Sequence, residues 1–478
     1  MNSSITFTAP EYHADGTIRP ATYALSGCPS EGWEIHRNNR IHLRLGEGYR
    51  PLRVSHCGIC ATDLARRHLP FPLPQIIGHE VVAFDDNGEL VVIEINASHA
   101  GRGLARNAWC EFCRNGLDTH CPDRLVLGIH DLPGGFGSWV LAPVRNVQPV
   151  PTAVTPASAT LVEPFAAALH AVETIAPRAG DCIAVLGPRR LGSLVIAALA
   201  AWRARNGQRF EVLAIARRAE LRALARRLGA DDAVDAIASG SRHRIADVVI
   251  ETTGHPDGLA LAVQLARREV HVKSTCGQPT LGLSHLTELV VDEISVRPYS
   301  DSLVNTSGDP PIAAVFDGVP DHVTRSLTAR GLRVVGGDTL DAITEATRTA
   351  GNRLGGADLA VVSSPAGVDQ CIRPRPTEQR GLVRPRGTIY VADVGQPRDP
   401  LLSALLDNGV CLSTSRCGDF QSALDVLGDP ALRLGERLGE ILVTEIAPAE
   451  RLAHAFVAAT SSRNLKVVVT HDDNRLIA

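Results

Sequence analysis

A set of potential metal ligands lies in the first part of the chain. Residues 57–63 read Cys-Gly-Ile-Cys-Ala-Thr-Asp, and His79 and Glu80 begin sixteen residues further on. A third carboxylate-bearing segment, Leu-Val-Glu-Pro at 161–164, contributes Glu163. A catalytic zinc takes three protein ligands from Cys, His and Asp or Glu and leaves one position open. The set therefore predicts a zinc site, for which the spacing alone does not choose between the two cysteines of the first segment.

A hydroxyl group lies next to these ligands. Thr62 follows the second cysteine, Cys60, by two residues, where it could pass on the proton of a bound alcohol. Zinc that binds an alcohol oxygen lowers the pKa of that alcohol, so the proton leaves near neutral pH. Oxidation of the alcohol also releases a hydride, and nicotinamide cofactors accept hydrides. These residues therefore favour alcohol chemistry on a nicotinamide cofactor.

Length and charge restrict the class of protein. The chain has 478 residues and a net charge of −4 without a run of like charges. This length predicts two or three domains, and the charge indicates neither a nucleic acid nor a membrane surface as partner. No signal peptide is visible, and the longest apolar run, around residues 194–202, is too short to span a bilayer. We expect a cytoplasmic protein. Five of its eleven cysteines cluster in two CxxC pairs plus Cys121, which indicates metal ligation rather than disulfides.

The pattern of apolar residues changes along the chain. Up to about residue 160, short apolar runs such as 90–95 and 135–141 alternate with Gly, Pro and Asn, which is typical of a β-rich, barrel-like domain. From about residue 165 strands and helices alternate, beginning with a strand at 182–186 and a helix at 191–205. Such alternation predicts a doubly wound parallel sheet. Four more strands are predicted beyond residue 300, at 313–316, 332–335, 359–362 and 388–391.

Two parts of the α/β region resemble each other. Residues 246–253 are similar to residues 357–364, and a basic turn and another strand follow each of them. The likeness indicates an internal repeat, although α/β units also resemble one another in general. Both interpretations stay open at this point.

A glycine-containing turn between the strand at 182–186 and the following helix predicts a dinucleotide site. Its sequence, Gly-Pro-Arg-Arg-Leu-Gly, departs from the dinucleotide fingerprint, which has glycine where Arg189 stands. The arginine side chain could instead pair with the pyrophosphate. The predicted cofactor-binding residues of this turn are Gly187, Arg189, Arg190, Leu191 and Gly192.

Two arginines at the end of the next strand bear on the choice of cofactor. An acidic residue at this place usually binds the ribose of NAD, whereas an arginine accommodates the 2′-phosphate of NADP. Here Arg217 and Arg218 occupy it, and no acid occurs before Glu220. We therefore expect NADP, with NAD as the alternative; the two arginines could also be solvated residues at a helix start.

In these motifs the chain resembles the zinc-dependent medium-chain dehydrogenase/reductase superfamily, in its polyol, threonine and glucose dehydrogenase branch. The resemblance covers roughly residues 35–300 and 410–478. It implies that Cys60, His79 and Glu163 bind the catalytic zinc and that Glu80 lies close to the metal. It also implies that Thr62 relays the proton.

The resemblance implies a domain organisation as well. We expect an α/β protein with a β-rich, GroES-like catalytic domain at 1–165, completed by 415–478, and a doubly wound Rossmann domain at 166–300. Residues 302–410 are then an inserted, degenerate Rossmann-like α/β segment. It lacks a glycine-rich phosphate loop, so we expect it to serve packing or assembly.

A second metal site is implied by the family's structural-zinc lobe. Cys110, Cys113 and Cys121 match three of its four cysteine positions, and Asn107 stands at the first. Structural zinc sites are usually closed by four protein ligands. His99 and His120 are near enough in sequence to supply the fourth, and we expect His99. The alternative is a metal-free lobe with three free thiols.

The resulting hypothesis is a zinc-dependent NAD(P) oxidoreductase that acts on a secondary alcohol such as a polyol, sugar or amino-alcohol, or on the corresponding carbonyl. We expect a homodimer or homotetramer without nucleic acid or membrane partners. Two alternatives stay open. One is a zinc-free NADP-dependent reductase of the same superfamily, and the other is a non-catalytic nucleotide-binding protein.

Overall fold

The computed structural model describes residues 3–239, 242–274, 280–300, 311–351, 354–375, 380–392 and 400–471. The chain divides into two compact units. Unit 1 consists of Met1–Ala166 and Cys417–Ala478, and unit 2 of Ala167–Arg416. Within the described ranges, no helix is both long and apolar enough to cross a membrane.

The strands of the described residues are numbered in chain order. They are β1 (Ser3–Tyr12), β2 (Ile18–Cys28), β3 (Gly32–Arg37), β4 (Arg40–Leu45), β5 (Tyr49–Gly58), β6 (Glu80–Phe84), β7 (Leu90–Ile93), β8 (Asn96–Ala97), β9 (Leu125–Val126), β10 (Trp139–Pro143), β11 (Val147–Pro149), β12 (Cys182–Leu186), β13 (Glu211–Ile215), β14 (Asp232–Val234), β15 (Ala246–Glu251), β16 (Ala266–Val272), β17 (Ser295–Pro298), β18 (Ile312–Phe316), β19 (Arg333–Gly337), β20 (Ala357–Val362), β21 (Val383–Val391), β22 (Cys411–Thr414), β23 (Val443–Pro448) and β24 (Lys466–Thr470).

The α-helices of the same residues follow the same numbering rule. They are α1 (Ala61–Leu64), α2 (Glu111–Arg114), α3 (Pro156–Ala159), α4 (Val162–Ile175), α5 (Arg190–Asn206), α6 (Ala219–Arg227), α7 (Ala236–Ser239), α8 (Pro256–Leu265), α9 (Leu286–Val291), α10 (Asp321–Ala329), α11 (Leu340–Ala350), α12 (Ala366–Ile372), α13 (Pro400–Asp407), α14 (Phe420–Leu427), α15 (Leu434–Leu442) and α16 (Leu452–Thr460).

Unit 1 is rich in β-structure, as predicted. Strands β1 to β4 form an antiparallel meander, and a second sheet has the order β11-β7-β6-β5-β24-β23, with β10 paired to β5. The C-terminal strand β24 pairs with β5, so residues from the two ends of the chain share one sheet. Leu52, Val54 and Cys57 of β5 and Val81 and Ala83 of β6 lie in one apolar core.

Unit 2 contains one sheet of eleven described strands, in the order β14-β13-β12-β15-β16-β22-β17-β21-β20-β18-β19. Its first six strands are parallel. They follow the doubly wound order 3-2-1-4-5-6 of a dinucleotide-binding fold. The α/β prediction is confirmed.

The rest of this sheet repeats the first part. Strands β17 and β21, β21 and β20, β20 and β18, and β18 and β19 are parallel pairs, whereas β22 and β17 meet antiparallel at Val296 and Leu412. The sheet is therefore two parallel halves joined in the middle. The chain exchanges strands between them: β17 follows β16 in sequence but pairs with β21, and β22 follows β21 but pairs with β16.

The sequence likeness noted above falls on corresponding strands of the two halves, β15 and β20. In β15, Asp247 accepts a hydrogen bond from the N–H of Cys182 over 2.8 Å, at the start of β12. In β20, Asp358 accepts one of the same length from the N–H of Ile312, at the start of β18. Identical bonds at equivalent places favour an internal repeat over a general likeness of α/β units.

The predicted elements occur with shifted ends. The predicted strand at 182–186 has the predicted bounds, and the predicted helix at 191–205 is α5. The predicted strand at 135–141 begins only at Trp139, because Gly134 and Gly135 pack closely against Gly78 and Cys57. The predicted boundary between the Rossmann domain and the inserted segment lies next to residues 301–310, which are outside the described residues. The proposed domain limits therefore stay predictions.

Candidate metal and cofactor sites

The first predicted ligand is fixed by a short helix. Strand β5 ends at Gly58, and Cys60 is the residue that caps the N-terminus of α1. The carboxylate of Asp63 accepts a hydrogen bond from the N–H of Cys60 over 2.8 Å, which closes the first turn. The Cys60 sulfur lies 3.8 Å from the hydroxyl of Thr62. The predicted thiolate and the predicted proton relay are thus neighbours.

His79 lies beside the same carboxylate. Its imidazole is buried, and its Nδ1 is 3.4 Å from Oδ1 of Asp63. Burial disfavours the charged imidazole, but Asp63 and Cys60 outweigh this effect and raise the pKa of His79. A carboxylate at one ring nitrogen of a metal-binding histidine fixes the ring and leaves the other nitrogen for the metal. Cys60 and His79 are therefore brought together, with Asp63 as their common support.

Glu80 has a buried cationic partner. It pairs with Gly58 across β5 and β6, and a side chain at Gly58 would collide with its carboxylate. The ammonium group of Lys466, at the start of β24, donates to Oε2 of Glu80 and to the carbonyl of Ile59. The other carboxylate oxygen, Oε1, is buried without a hydrogen-bond partner among the described residues. Such an atom fits a position next to a bound cation.

The structure separates the two cysteines of the first motif. The side chain of Cys57 is fully buried, and burial raises the pKa of its thiol well above the usual value. A side chain at Gly78 would come within 2.8 Å of its sulfur. Cys57 is thus a packed thiol, whereas Cys60 interacts with His79 and raises its pKa.

Glu163 lies in the first turn of α4. Its charge acts on Lys466, as do the charges of Glu80 and Cys60, and together these groups raise the pKa of that lysine against the effect of burial. The predicted ligands therefore share one electrostatic environment without forming a closed cluster.

The second predicted metal site is closed. His99, Cys110, Cys113 and Cys121 have ligand atoms that all lie within 4.8 Å of one another, and no other such group of three or more His, Cys, Asp or Glu residues occurs in the described ranges. The sulfurs of Cys110 and Cys121 are 3.7 Å apart, and Nδ1 of His99 is 3.5 Å from the Cys121 sulfur. Zinc–sulfur bonds of about 2.3 Å in a tetrahedron place sulfurs about 3.8 Å apart. The group therefore has the dimensions of a zinc site.

Further contacts agree with this assignment. Nε2 of His99 faces the carboxylate of Asp123 over 3.5 Å, which leaves Nδ1 for a metal. A hydrogen bond from Cys113 lowers the pKa of Cys121, so these two side chains lie close together. His120 is buried but does not belong to the group.

The cofactor turn has the close packing that its glycines permit. Gly187 follows β12 with φ of 86°, and a side chain there would come within 2.7 Å of Thr253. A side chain at Gly192, in α5, would come within 2.6 Å of the carbonyl oxygen of Gly187. These two glycines therefore allow the strand and the helix to approach, as in the dinucleotide fingerprint.

Cationic side chains gather at the same end of the sheet. Burial, together with the charges of Arg190 and Arg218, lowers the pKa of Arg189. Arg218 precedes α6 as its N-cap residue, and Arg217 follows the end of β13. These positive charges repel one another, and a helix N-terminus also favours anions. A phosphate group bound there would therefore be stabilised.

Glu94 has an unusual environment in unit 1. Its carboxylate accepts hydrogen bonds from the amides of Asn96 and Asn146, each over 2.6 Å. Burial raises its pKa from 4.5 to about 7 despite the bonds from Asn96, and the charges of Asp118 and Glu163 add to the rise.

A pH dependence of stability follows from this shift. Between pH 4.5 and 7 the folded state binds more protons at Glu94 than the unfolded state, so the free energy of unfolding falls as the pH rises. Glu94→Gln should flatten this fall by on the order of 1–3 kcal/mol, measured by denaturant unfolding across that range. Glu89→Gln, at an exposed position, is the control. An unchanged profile in Glu94→Gln would show that another group titrates.

Two residues of the site were not predicted from the sequence. Asp63 belongs to the first motif, and its position three residues after Cys60 is a capping signal that could have identified it. Lys466 lies about 400 residues away from Glu80, and no local pattern connects the two.

Comparisons with known proteins agree with this architecture. Residues 46–152 match the family model of the alcohol dehydrogenase GroES-like domain. L-galactonate-5-dehydrogenase of Escherichia coli (strain K12) is 30% identical over 164 residues, which are 32% of this chain and 46% of that protein. L-threonine 3-dehydrogenase of Rhizobium johnstonii is 29% identical over 230 residues, 45% of this chain and 61% of that protein. The chain thus spans about half the length of the curated relatives it matches.

Solved structures show the same fold at low identity. L-idonate 5-dehydrogenase of Escherichia coli has a TM-score of 0.55 at 13% identity, covering 98% of this chain and 99% of that one. A protein of Sinorhizobium meliloti assigned as a zinc-binding dehydrogenase and bound to NADP has a TM-score of 0.54 at 18% identity, with the same coverage. Residues 46–152 thus resemble the alcohol dehydrogenase GroES-like domain, and the solved structures share the fold of the chain.

Proposed function

We propose that the chain is a zinc-dependent NAD(P) oxidoreductase that oxidises a secondary alcohol to a carbonyl, or catalyses the reverse reaction. The substrate class is a polyol, sugar or amino-alcohol. The observation that carries the proposal is the buried arrangement of Cys60 and His79 around Asp63, with the Thr62 hydroxyl beside the thiol. The relatives named above, which act by name on galactonate and threonine, support the substrate class.

The proposal includes the setting of the enzyme. We place it in the cytoplasm as a homodimer or homotetramer, without nucleic acid or membrane partners. The first reason is the balanced charge of the chain. The second is that the superfamily's substrates are small molecules.

The residues at the first site fit a zinc ion. Cys60, His79 and Glu163 would hold it, and Glu80, with its unpartnered Oε1, would lie close by. Sulfur, imidazole and carboxylate are the donors that catalytic zinc takes from proteins. When bound, zinc supplies Lewis-acid polarisation of the alcohol oxygen. A second zinc would be held by His99, Cys110, Cys113 and Cys121 and would stabilise the lobe around it.

The side chains of the site divide the remaining tasks. The Thr62 hydroxyl accepts the proton of the alcohol and passes it towards water. Asp63 accepts a hydrogen bond from the N–H of Cys60, and its carboxylate lies 3.4 Å from Nδ1 of His79, so it supports both ligands. Lys466 contacts the carboxylate of Glu80 in a buried place and supplies the opposite charge there.

The proposed hydride acceptor is NADP, with NAD as the alternative. Arg217 and Arg218 would contact the 2′-phosphate, and Arg189 and Arg190 the pyrophosphate beside Gly187, Leu191 and Gly192. An arginine–phosphate contact is a charge-assisted hydrogen bond. The NADP-bound neighbour supports this choice.

Arg217→Asp should weaken NADP binding selectively. The new carboxylate would repel the 2′-phosphate, and the lost contact is worth about 1.5–3 kcal/mol, roughly a 10- to 100-fold change in the dissociation constant. Titration of both cofactors measures the effect. Arg227→Asp, at the exposed last residue of α6, is the control for the change in charge. Equal losses for NADP and NAD would show that Arg217 acts through folding.

One nicotinamide cofactor should bind per chain. In the second half of the sheet, β18 is followed by Asp317 and Gly318, and α10 begins at Asp321. Carboxylates at this place would repel a phosphate. Calorimetric titration is expected to give one site per chain. A second site that is lost in Asp317→Ala would contradict this expectation.

The function itself is tested by turnover. Purified protein with its zinc is offered a panel of secondary alcohols and polyols with NADP or NAD, and the reduced cofactor is followed by its absorbance. Oxidation of at least one alcohol is expected. Cofactor binding without turnover of any alcohol or carbonyl would favour the non-catalytic alternative, and turnover in zinc-free protein would favour the zinc-free reductase.

A further inference from the structure

Two helix–strand connections in unit 2 are built alike. Residues 292–294 lead from α9 to β17, and residues 408–410 lead from α13 to β22. The middle residue of each has a positive φ, 54° for Glu293 and 70° for Gly409. In each connection the next N–H donates to a helix carbonyl over 3.0 Å: Ile294 to Leu289 and Val410 to Leu405.

The two connections differ in the residue that adopts the left-handed conformation. Glycine does so without steric cost, and Gly409 is the ordinary choice. A glutamate with a Cβ is disfavoured there. A strained residue persists where the surrounding structure holds it, often for a functional reason. The carboxylate of Glu293 is therefore expected to have a task that Gly409 does not have.

The side chain of Glu293 is buried, with 4% of it exposed, and its partners come from three segments. Oε1 lies 2.7 Å from Nε2 of His170 in α4 and accepts a hydrogen bond from the N–H of Arg416 over 3.0 Å. Oε2 accepts a hydrogen bond from Nε of Arg386 over 2.8 Å. One carboxylate thus joins the first helix of unit 2, its last residue and strand β21 of the inserted segment.

The strand that supplies Arg386 also departs from its counterpart in the other half. Between β15 and β16 the pairing skips two residues, 267–268, whereas between β20 and β21 it skips four, 384–387. Arg386 lies in this longer bulge with φ of 59°, and its N–H donates to the carbonyl of Asp292 over 2.8 Å. Both departures from the repeat, the glutamate and the bulge, therefore meet in one ion pair.

The position of this pair in unit 2 gives it a consequence. Unit 2 begins at Ala167 and ends at Arg416. His170 lies one helical turn from the first limit, and Arg416 is the second. The chain therefore enters unit 2 close to His170 and leaves it at Arg416, and both residues bind the carboxylate of Glu293.

We propose that Glu293 and Arg386 form a latch that fixes both ends of unit 2 to the inserted second half of its sheet. The inserted segment then has a defined role. Its Arg386 positions the carboxylate of Glu293, which binds His170 of α4 and the backbone of Arg416 after β22. Glu293 and Arg386 are positioning residues, which act through the two connecting segments and not on substrate or cofactor. The latch does not depend on the proposed reaction.

Hydrogen exchange followed by mass spectrometry tests the latch. Glu293→Gly places at this position the residue that the other connection carries, so the backbone is relieved while the carboxylate is lost. Arg386→Met removes only the guanidinium group. Arg384→Met is the matched control, because Arg384 lies in the same bulge but pairs with Asp358. The probes are peptides that cover residues 167–172 and 414–417.

In Glu293→Gly and in Arg386→Met, amide exchange in both peptides is expected to rise by about tenfold or more, while peptides of β18 and β20 keep their rates. The double variant should exchange no faster than Glu293→Gly, since both changes open the same contact. Wild-type rates in both single variants, or an equal rise in Arg384→Met, would overturn the proposal. Should Glu293→Gly fold poorly, Arg386→Met decides the outcome alone.

An activity measurement adds a second readout. If the chain is the oxidoreductase proposed above, Arg386→Met should leave zinc content and the KM for the cofactor unchanged, because neither residue of the latch acts on substrate or cofactor. Failure of the proposed function would leave no turnover to measure but would not alter the exchange result. Failure of the latch would leave exchange unchanged in an active enzyme.

Discussion

Cys60→Ala is expected to abolish alcohol oxidation, with a loss of about a thousandfold or more in kcat/KM, and to remove one zinc per chain. The thiolate is the ligand held in place by α1 and Asp63, and a catalytic zinc has only three protein ligands. Loss of one of them leaves too few donors for tight binding. Metal analysis and initial rates on the same preparations measure both effects.

Cys57→Ala is the matched control within the same motif. Its sulfur is buried and packs against Gly78 and Gly135, so zinc content and turnover should persist, with some loss of stability from the cavity. Should Cys57→Ala lose the zinc while Cys60→Ala keeps it, the assignment of the ligand would be wrong.

The second large effect is expected at the closed Cys/His group. His99→Ala should remove one zinc per chain and lower the midpoint of thermal unfolding, because binding to structural sites of this kind contributes on the order of 10 kcal/mol. His120→Ala is the control, since His120 was the other candidate ligand but does not belong to the group. Zinc analysis and thermal unfolding of both variants provide the measurement.

The two possible outcomes at this lobe are distinct. A wild-type protein with one zinc per chain, unchanged in His99→Ala, would mean that the lobe is metal-free. Loss of zinc in His120→Ala but not in His99→Ala would mean that the fourth ligand is His120.

The sequence predicted those elements whose patterns are local. Strand β12 and helix α5 followed from a short apolar run and a long helical one around Gly187 and Gly192. The capping turn at Cys60 was not predicted, although its signal also lies within one motif. The alternation of strands and helices predicted the doubly wound sheet. In each case, residues close in sequence determine the structure.

Features that depend on distant residues could not be predicted. The buried pair of Lys466 and Glu80 joins the two ends of the chain, and neither residue carries a local signal. The exchange of β17 and β22 between the halves of the sheet is also invisible, because apolar strands do not specify their neighbours. The sequence left open whether residues 357–364 are part of an internal repeat or only resemble other α/β units. The equivalent hydrogen bonds of Asp247 and Asp358 favour the repeat.

The zinc dependence of turnover tests the central claim most directly. Protein from which a chelator has removed the metal is titrated with zinc, and NADP-dependent alcohol oxidation is followed together with the zinc bound per chain. We expect no activity without zinc, and activity that rises with occupancy of the site of Cys60 and His79, up to two zinc ions per chain. Alcohol oxidation that persists at full rate in the metal-free, folded protein would contradict the account.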